Sequence, residues 1–499
     1  MSVTALSATT LVSRISTMRQ QMEALQIQLT TEKKSTSYAG LGSGRMQSVT
    51  FRQQIANLDA YSSTIDLVST RIKLMDTALT RIGEIPSDVK SAIDPNAFVV
   101  LSDGKTAAQK TAQVALQETI GLLNSDAAGR HLFAGDETDA APVVDYDTMM
   151  NGDGTRAGFL QYTEERRMAD LGADGLGRLA TARTGSTVTL RKDTPVTTTF
   201  GFDITGVSTT MTGVTASVSG SPAQLSVNFT GQPVSGQTIA IELTNPDGTT
   251  STVELQATTG PEVEDGQFLI GTTLNATAQN FRVAMSAGVA AAAETDLAAA
   301  SAMAAADDFF DTAGGALPQR VDTSGGSAYE AVGLVDADPA SSVIWYTGQN
   351  DASPARSGAS AKVDSNITVD YGARANEESL VNVVKNLAAM AAASFDESVA
   401  TDEARYAALA ERVDTALDFP DGAPNPQDLH AEIAVAAATI EAADDRHVTS
   451  KAAMQDLVSD VEGIDKFEVS AQLLQLQTQL EASYQTTSML YQLSLVNYL

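Results

Sequence analysis

Residues 11–29, LVSRISTMRQQMEALQIQL, set Leu11, Ile15, Met18, Met22, Leu25 and Leu29 at alternating steps of four and three. That spacing lays a narrow apolar seam along one helix and calls for a partner helix to cover it. The same step returns near the other end of the chain in Val469, Leu473, Leu476 and Leu480, and the row runs on through Ser483, Thr487 and Leu490. A lone helix of this length is marginal in water. Seam residues at about 1.5–3 kcal/mol each scarcely offset a backbone ordering cost of about 1–2 kcal/mol per residue. Each end of the chain therefore needs another helix.

Moving inward, the first helix is predicted from about Ser7 to Ser37 and breaks at Tyr38–Arg45, where Gly40, Gly42 and Gly44 alternate with other residues. No strand precedes this loop and no Lys follows in phosphate-binding register, so it reads as a hinge between helices. A second helix carries Phe51, Ile55, Leu58, Ile65, Val68, Ile72, Met75, Leu79 and Ile82 and is expected to stop at Pro86; a third is expected from about Thr106 to Ala128. These make a hairpin of helices that needs a partner from elsewhere in the chain. After Gly135 the sequence turns to Gly, Thr, Asp and Pro with short alternating runs. The clearest hairpin is Thr238–Leu243, turned by Asn245-Pro-Asp-Gly248 and returning as Thr252–Leu255. Further strands are predicted at Val188–Leu190, Phe200–Ile204, Leu225–Phe229, Phe268–Ile270, Val343–Tyr346 and Ile367–Tyr371, with an Ala-rich helix at about Asn275–Phe310. From Asn376 the pattern is helical, with breaks at 420–426 and near Gly463.

The fold class is therefore α+β, with long coiled-coil helices from both termini and a β-rich centre. The expected division is 1–42 and 463–499 as the inner helical pair, 43–135 and 376–462 as a second helical layer, and 136–375 as a β-rich outer domain. Residues 185–320 read as an inserted β-rich and helical module with its own core.

The 499 residues carry a net charge of -31, which argues against nucleic acid or an anionic membrane as partner, since phosphate binding depends on clustered Lys and Arg. Residues 1–90 are net +3, so the acid lies in the remainder, as solvated surface. No run of about 18 apolar residues is present to span a bilayer, and the start of the chain lacks the basic and apolar regions of a cleaved secretory signal. Cysteine is absent, which suits a chain exported unfolded to an oxidising exterior.

No catalytic constellation emerges. His430 is not part of the H-E-x-x-H arrangement that puts two imidazoles on one helix face, and no G-x-S-x-G is present. Asn151–Thr155 resembles half a calcium loop, but Met149 and Leu160 stand where oxygen ligands belong, so a turn is the better reading. No catalytic, metal or cofactor residue is assigned, and the chain is read as no enzyme.

Helical termini around a β-rich centre, absent cysteine, the Gln477-Leu-Glu-Ala-Ser-Tyr run and the ending Leu-Ser-Leu-Val-Asn-Tyr-Leu499 resemble the bacterial flagellin family. Gly129-Arg130-His131-Leu132-Phe133-Ala134-Gly135 is similar to a segment of the hook-associated branch of that family, with His131 where Tyr is usual. The resemblance covers about residues 1–180 and 376–499. It implies a structural subunit exported unfolded through the flagellar type III apparatus, an extracellular location, and terminal helices that order on assembly. Implied partners are copies of the chain, the neighbouring axial proteins of hook and filament, and an export chaperone, with no nucleic acid, membrane insertion or cofactor. Within that resemblance the first reading is an adaptor at the junction of hook and filament; a filament flagellin, and a secreted or surface binding protein or enzyme using residues 185–320 as its active module, are the alternatives.

Overall fold

Eleven α-helices are present among the described residues: α1 Val3–Thr31, α2 Arg45–Lys90, α3 Ala107–Leu123, α4 Tyr146–Asn151, α5 Phe159–Leu171, α6 Leu274–Ala292, α7 Ala298–Phe310, α8 Glu378–Ala392, α9 Asp402–Leu417, α10 Pro426–Glu462 and α11 Lys466–Val496. The computed structural model describes residues 3–193, 198–260, 262–420 and 422–496, of which 3–9, 490, 491 and 493–496 are described by backbone alone. The strands are β1 Asp126–Ala127, β2 Arg130–His131, β3 Leu179–Thr184, β4 Thr187–Lys192, β5 Asp203–Thr209, β6 Val214–Ser219, β7 Gln224–Phe229, β8 Thr238–Thr244, β9 Thr250–Thr258, β10 Gln267–Leu269, β11 Gln319–Val321, β12 Leu334–Asp336, β13 Ser360–Lys362 and β14 Thr368–Asp370.

The chain forms two compact units: a terminal unit of residues 1–68, 362–368 and 438–499, and a central unit of residues 69–361 and 369–437. The expected layers are drawn at other residues. The division falls inside α2 and α10, which run unbroken through it, rather than at the breaks after residues 42 and 462. A hydrophobic stripe sustained along a helix carries no mark of where its partner changes.

Burial along α2 follows its stripe. Phe51, Ile55 and Leu58 are half-buried, whereas Ile65, Val68, Ile72, Met75, Leu79 and Ile82 are buried. Pro86 does not stop this helix. Four more residues follow, with Ile85 and Val89 at zero exposure flanking the proline, so packing holds the last turn despite the missing N–H. α3 starts where a capping box closes it: Thr106 accepts from the Gln109 amide, and the Gln109 side chain accepts from the Thr106 amide. It ends at Leu123 rather than Ala128, because residues 126–131 fold back as the β1–β2 hairpin.

Two sheets share a core in the central unit. One has the antiparallel order β3-β4-β7-β6 and the other the order β10-β9-β8-β5, in which only the β10–β9 pair is parallel. Alternate residues of the strands point inward, among them Val188, Leu190, Leu225, Val227, Ile239, Ile241, Val253 and Leu255, and α6 covers them with Phe281, Met285 and Val289. The Asn245–Gly248 turn joins β8 to β9 as the sequence predicts, with Gly248 at φ +81.

The boundaries of this β module differ from 185–320. β3 pairs along its whole length with β4, so Gly185 lies in the turn of a hairpin that begins at Leu179. The other end overruns the module, since α7 belongs to a helical body formed with α5, α8 and α9. α7 is buried on almost every side, its alanines admitting close neighbours. Its Phe309 and Phe310 meet Phe159, Tyr162 and Trp345 at ring distances of 4.9–5.5 Å. Beside them, buried Arg166 holds two carboxylates, Asp170 at 2.9 Å and Asp308 at 2.5 Å. Burial pushes the Asp308 carboxyl up to about 6. Val343–Tyr346 is no strand. Tyr346 makes an isolated bridge to Val143, and the apolar run exists because Val343, Trp345 and Tyr346 plug the body core.

Candidate assembly interface at the chain termini

Within the terminal unit α1 packs along α11. Leu11, Ile15, Met18, Met22, Leu25 and Leu29 are each half-buried, while most intervening residues are exposed. Opposite them Val469 and Leu480 are buried and Leu473, Leu476, Ser483 and Thr487 half-buried; the side chain of Leu490 lies outside the described residues, as do residues 497–499. A helix pair seals one side of each seam and leaves the flanks open. A cleft of about 390 Å³ runs beside Leu25 and Leu476, lined by Gln21, Gln472, Gln475 and Gln479. Off the seam, Val12, Leu474, Met489 and Phe467 are 60, 63, 62 and 90 % exposed.

The two terminal helices are brought together by a clasp that the heptad pattern does not reveal. α1 ends at Thr31 because Glu32 takes a left-handed conformation, φ +57. The chain then runs past the end of α10, pairing Lys33 with Gly463 as an isolated antiparallel bridge, with Lys34 N donating to Glu462 O at 2.7 Å. Lys34 Nζ donates to the carbonyls of Asp460 and Val461 at 3.1 and 3.0 Å, satisfying orphan carbonyls at the helix end. The approach needs Gly44, since a Cβ there would lie 2.8 Å from Val461 Cγ1. The GxGxG loop is thus a tight turn, a 3-10 segment over Tyr38–Gly44.

At the centre of the clasp Glu462 is only 7 % exposed. Its Oε1 accepts from Ser48 Oγ at 2.6 Å and Arg52 Nε at 2.8 Å, and its Oε2 accepts from Arg52 Nη2 at 2.6 Å. Lys33 Nζ stands 3.7 Å away. The bidentate Arg52 contact holds the Glu462 carboxyl down at about 2, and the same contact raises the Arg52 guanidinium. A depressed acid contributes stability above its unfolded value, about 4.5, and loses it as pH falls towards about 2. Arg52→Ala is therefore expected to loosen the clasp by about 1–3 kcal/mol at neutral pH. It should also flatten the acid dependence of amide protection in residues 30–36 and 460–466 between pH 5 and pH 2. An unchanged acid profile in the variant would refute the assignment.

Nothing in a local window pairs Ser48 and Arg52 with a glutamate 414 and 410 residues away. The visible signal was only that both residues sit one turn apart on α2. His447, also in this unit, is buried, stacks on Tyr61 at 5.6 Å and donates from Nε2 to the Val363 carbonyl at 2.7 Å, which gives it a structural role.

The Gly129–Gly135 segment lies in the central unit. Ala128 and Gly129 both have positive φ, 57° and 77°, and form the two-residue turn of the β1–β2 hairpin. Arg130 Nε donates to Thr138 Oγ1, His131 Nδ1 donates to the Asn124 carbonyl at 2.8 Å, and Leu132 N donates to the Ser125 carbonyl. Phe133 and Ala134 have zero exposure and cross residues 373–375 in strand-like pairing, with Ala375 N on Phe133 O and Gly135 N on Ala373 O. The segment therefore fastens the end of α3 to the start of α8. The terminal seams belong to the other unit. Among the described residues no group of three His, Asp or Glu converges as metal ligands would, and no helix is long and apolar enough to cross a membrane.

Residues 3–138 match the family described as the bacterial flagellin N-terminal helical region, a span that includes α1, α2, α3 and the Gly129–Gly135 segment. The match likens this N-terminal region to that of bacterial flagellins. No curated protein matches the chain.

Proposed function

We propose that this chain is the structural adaptor at the hook-filament junction, incorporated by coupled folding of its terminal helices after export. The observation that carries an assembly role is the half-buried state of the α1 and α11 seams, with further apolar side chains exposed on the same helices. Such a pair gains most when neighbouring subunits cover its open flanks. The seam residues Leu11–Leu29 and Val469–Leu490 then form the inner layer of the axial tube, against copies of the chain and against the adjoining hook-associated protein and flagellin. An export chaperone keeps the ends from pairing before secretion. The likeness of Gly129–Gly135 to the hook-associated branch favours the junction over the filament. A junction subunit meets two different neighbours, so its two axial faces need not complement each other, whereas a filament subunit repeats one heterologous contact without limit.

Antibody against the β module is expected to label a short band between hook and filament by immunogold microscopy. Deleting the gene should leave bare hooks and release flagellin monomers into the medium. Labelling along the whole filament, or unlimited growth of the purified chain from filament seeds, would move the assignment to filament flagellin.

A further inference from the structure

The β module joins the helical body through one interrupted helix. α6 supplies the module core and α7 the body core, and the five residues between them, Ala293–Leu297, form a π turn. A π turn inserts a residue into the i→i−4 ladder and rotates the face that the next turn presents. A further crossing between module and body lies beside the π turn. A Cβ on Gly177 would lie 2.3 Å from the Phe202 ring and 2.8 Å from Leu297 Cδ2, and Phe202 N donates to the Gly177 carbonyl. Two crossings beside one another permit rotation about them.

A second tie opposes that rotation. α9 packs on the π turn and on α7. From α9, Arg412 Nε donates to Asp247 Oδ2 at 2.7 Å and Nη2 donates to Thr249 Oγ1 at 2.8 Å, while Nη1 stands 3.7 Å from Asp296 in the π turn. The Arg412 and Asp247 side chains are 11 and 9 % exposed, so the pair is sheltered from water. Asp247 sits in the β8–β9 turn, where its Oδ1 already accepts from the Thr249 amide and hydroxyl. The turn is thus formed by itself and presents Oδ2 outward to the guanidinium. α9 is anchored in turn at the end of α2, where Lys90 pairs with Asp414 and Asp418.

We propose that Arg412 is a latch that fixes the orientation of the β module on the helical body, with the Ala293–Leu297 π turn as the hinge about which the module swings when the latch is open. The partner it takes is the Asp247 carboxylate of this same chain. α9 is the strut that relays the position of the α2 end to the module. The inference stands on the central unit alone and does not depend on where the chain is assembled.

The absence of cysteine allows a direct test in the full chain. Ser235 in the module and Glu403 on α9 are both exposed and can be changed to Cys for spin labelling. The parent is expected to give one narrow distance distribution by double electron–electron resonance. Arg412→Ala and Asp247→Asn should each at least double its width, with far-UV circular dichroism unchanged. Asp247→Asn keeps the acceptor that the turn uses and turns an amide donor or a neutral oxygen towards Arg412, so it opens the latch without removing the turn. If Arg412→Ala fails to fold, Asp247→Asn decides alone. A distribution in Asp247→Asn as narrow as the parent's would overturn the latch.

Discussion

Leu480→Asp is expected to abolish incorporation of the subunit into flagella while leaving the central unit folded. Leu480 is 6 % exposed on the seam of α11, and the neighbouring seam position Leu473 is half-buried. Burying a leucine contributes about 1.5–3 kcal/mol, and a carboxylate in its place adds an uncompensated desolvation cost of several kcal/mol. The pairing of α1 with α11 cannot absorb that loss, because most of its seam positions are only half-buried. The central unit has its own buried cores and contains no residue of α11, so its thermal unfolding should stay within about 0.5 kcal/mol of the parent. Leu473→Asp should act in the same direction with smaller effect. The readouts are motility, flagellar incorporation by immunoblot, and the melting of the purified monomer. Normal motility with Leu480→Asp would remove α11 from the assembly interface. Melting of the central unit alongside the lost motility would instead make the seam part of the general fold.

The seam itself was legible because a heptad is a local signal: six residues spaced by four and three mark the same face whatever covers them. The NPDG turn was legible for the same reason, since Asp247 and Gly248 determine the chain reversal within four residues. What the sequence hid was pairing at a distance. Glu462 reads as an ordinary surface glutamate at the end of a helix until α10 is laid beside Ser48 and Arg52. β3, with the sequence LATART, shows no alternation of bulky residues and has a single buried side chain, so its place in the sheet is set by β4 and not by its own pattern. Trp345 and Tyr346 read as strand because aromatic residues favour strands, yet their neighbours in space are helices and the isolated Val143 bridge. The continuous Ala-rich stretch 274–310 hid a change of allegiance at the π turn, which no propensity encodes.

That change of allegiance gives the last expectation its sign. Excising Gly185–Arg320, the stretch that composition marks as an insert, is expected to unfold the helical body. The deletion takes α7 with it. Phe309 and Phe310, both at zero exposure, leave the aromatic cluster around Phe159, and the Trp345 indole loses its acceptor, the Phe310 carbonyl at 3.1 Å. Each buried Phe removed costs about 3–5 kcal/mol, and two such losses match the whole stability of a typical domain, about 5–15 kcal/mol. The polar core fails as well. Asp170 loses both the Ser301 hydroxyl at 2.8 Å and the Gly201 amide at 2.8 Å, and Arg166 loses Asp308, so buried charges are left with fewer partners. β3 is left without β4. A cut that respects the observed boundary behaves differently. Excising Leu179–Ala292 and joining Arg178 to Ala293 by a short Gly/Ser segment keeps α7, and the ends to be joined already lie close, as the Gly177 and Leu297 contact requires. Its costs to the body are Phe200, which packs with Ala169 and Val321, and the Gly201 amide on Asp170, while Ser301 and Asp308 stay in place. The shorter deletion should therefore retain a cooperative thermal transition at reduced temperature, whereas the longer one should show none and be degraded by limited proteolysis. Equal cooperativity in the two proteins would mean that α7 belongs with the module after all, and that the π turn is a bend within one folding unit and not a border between two.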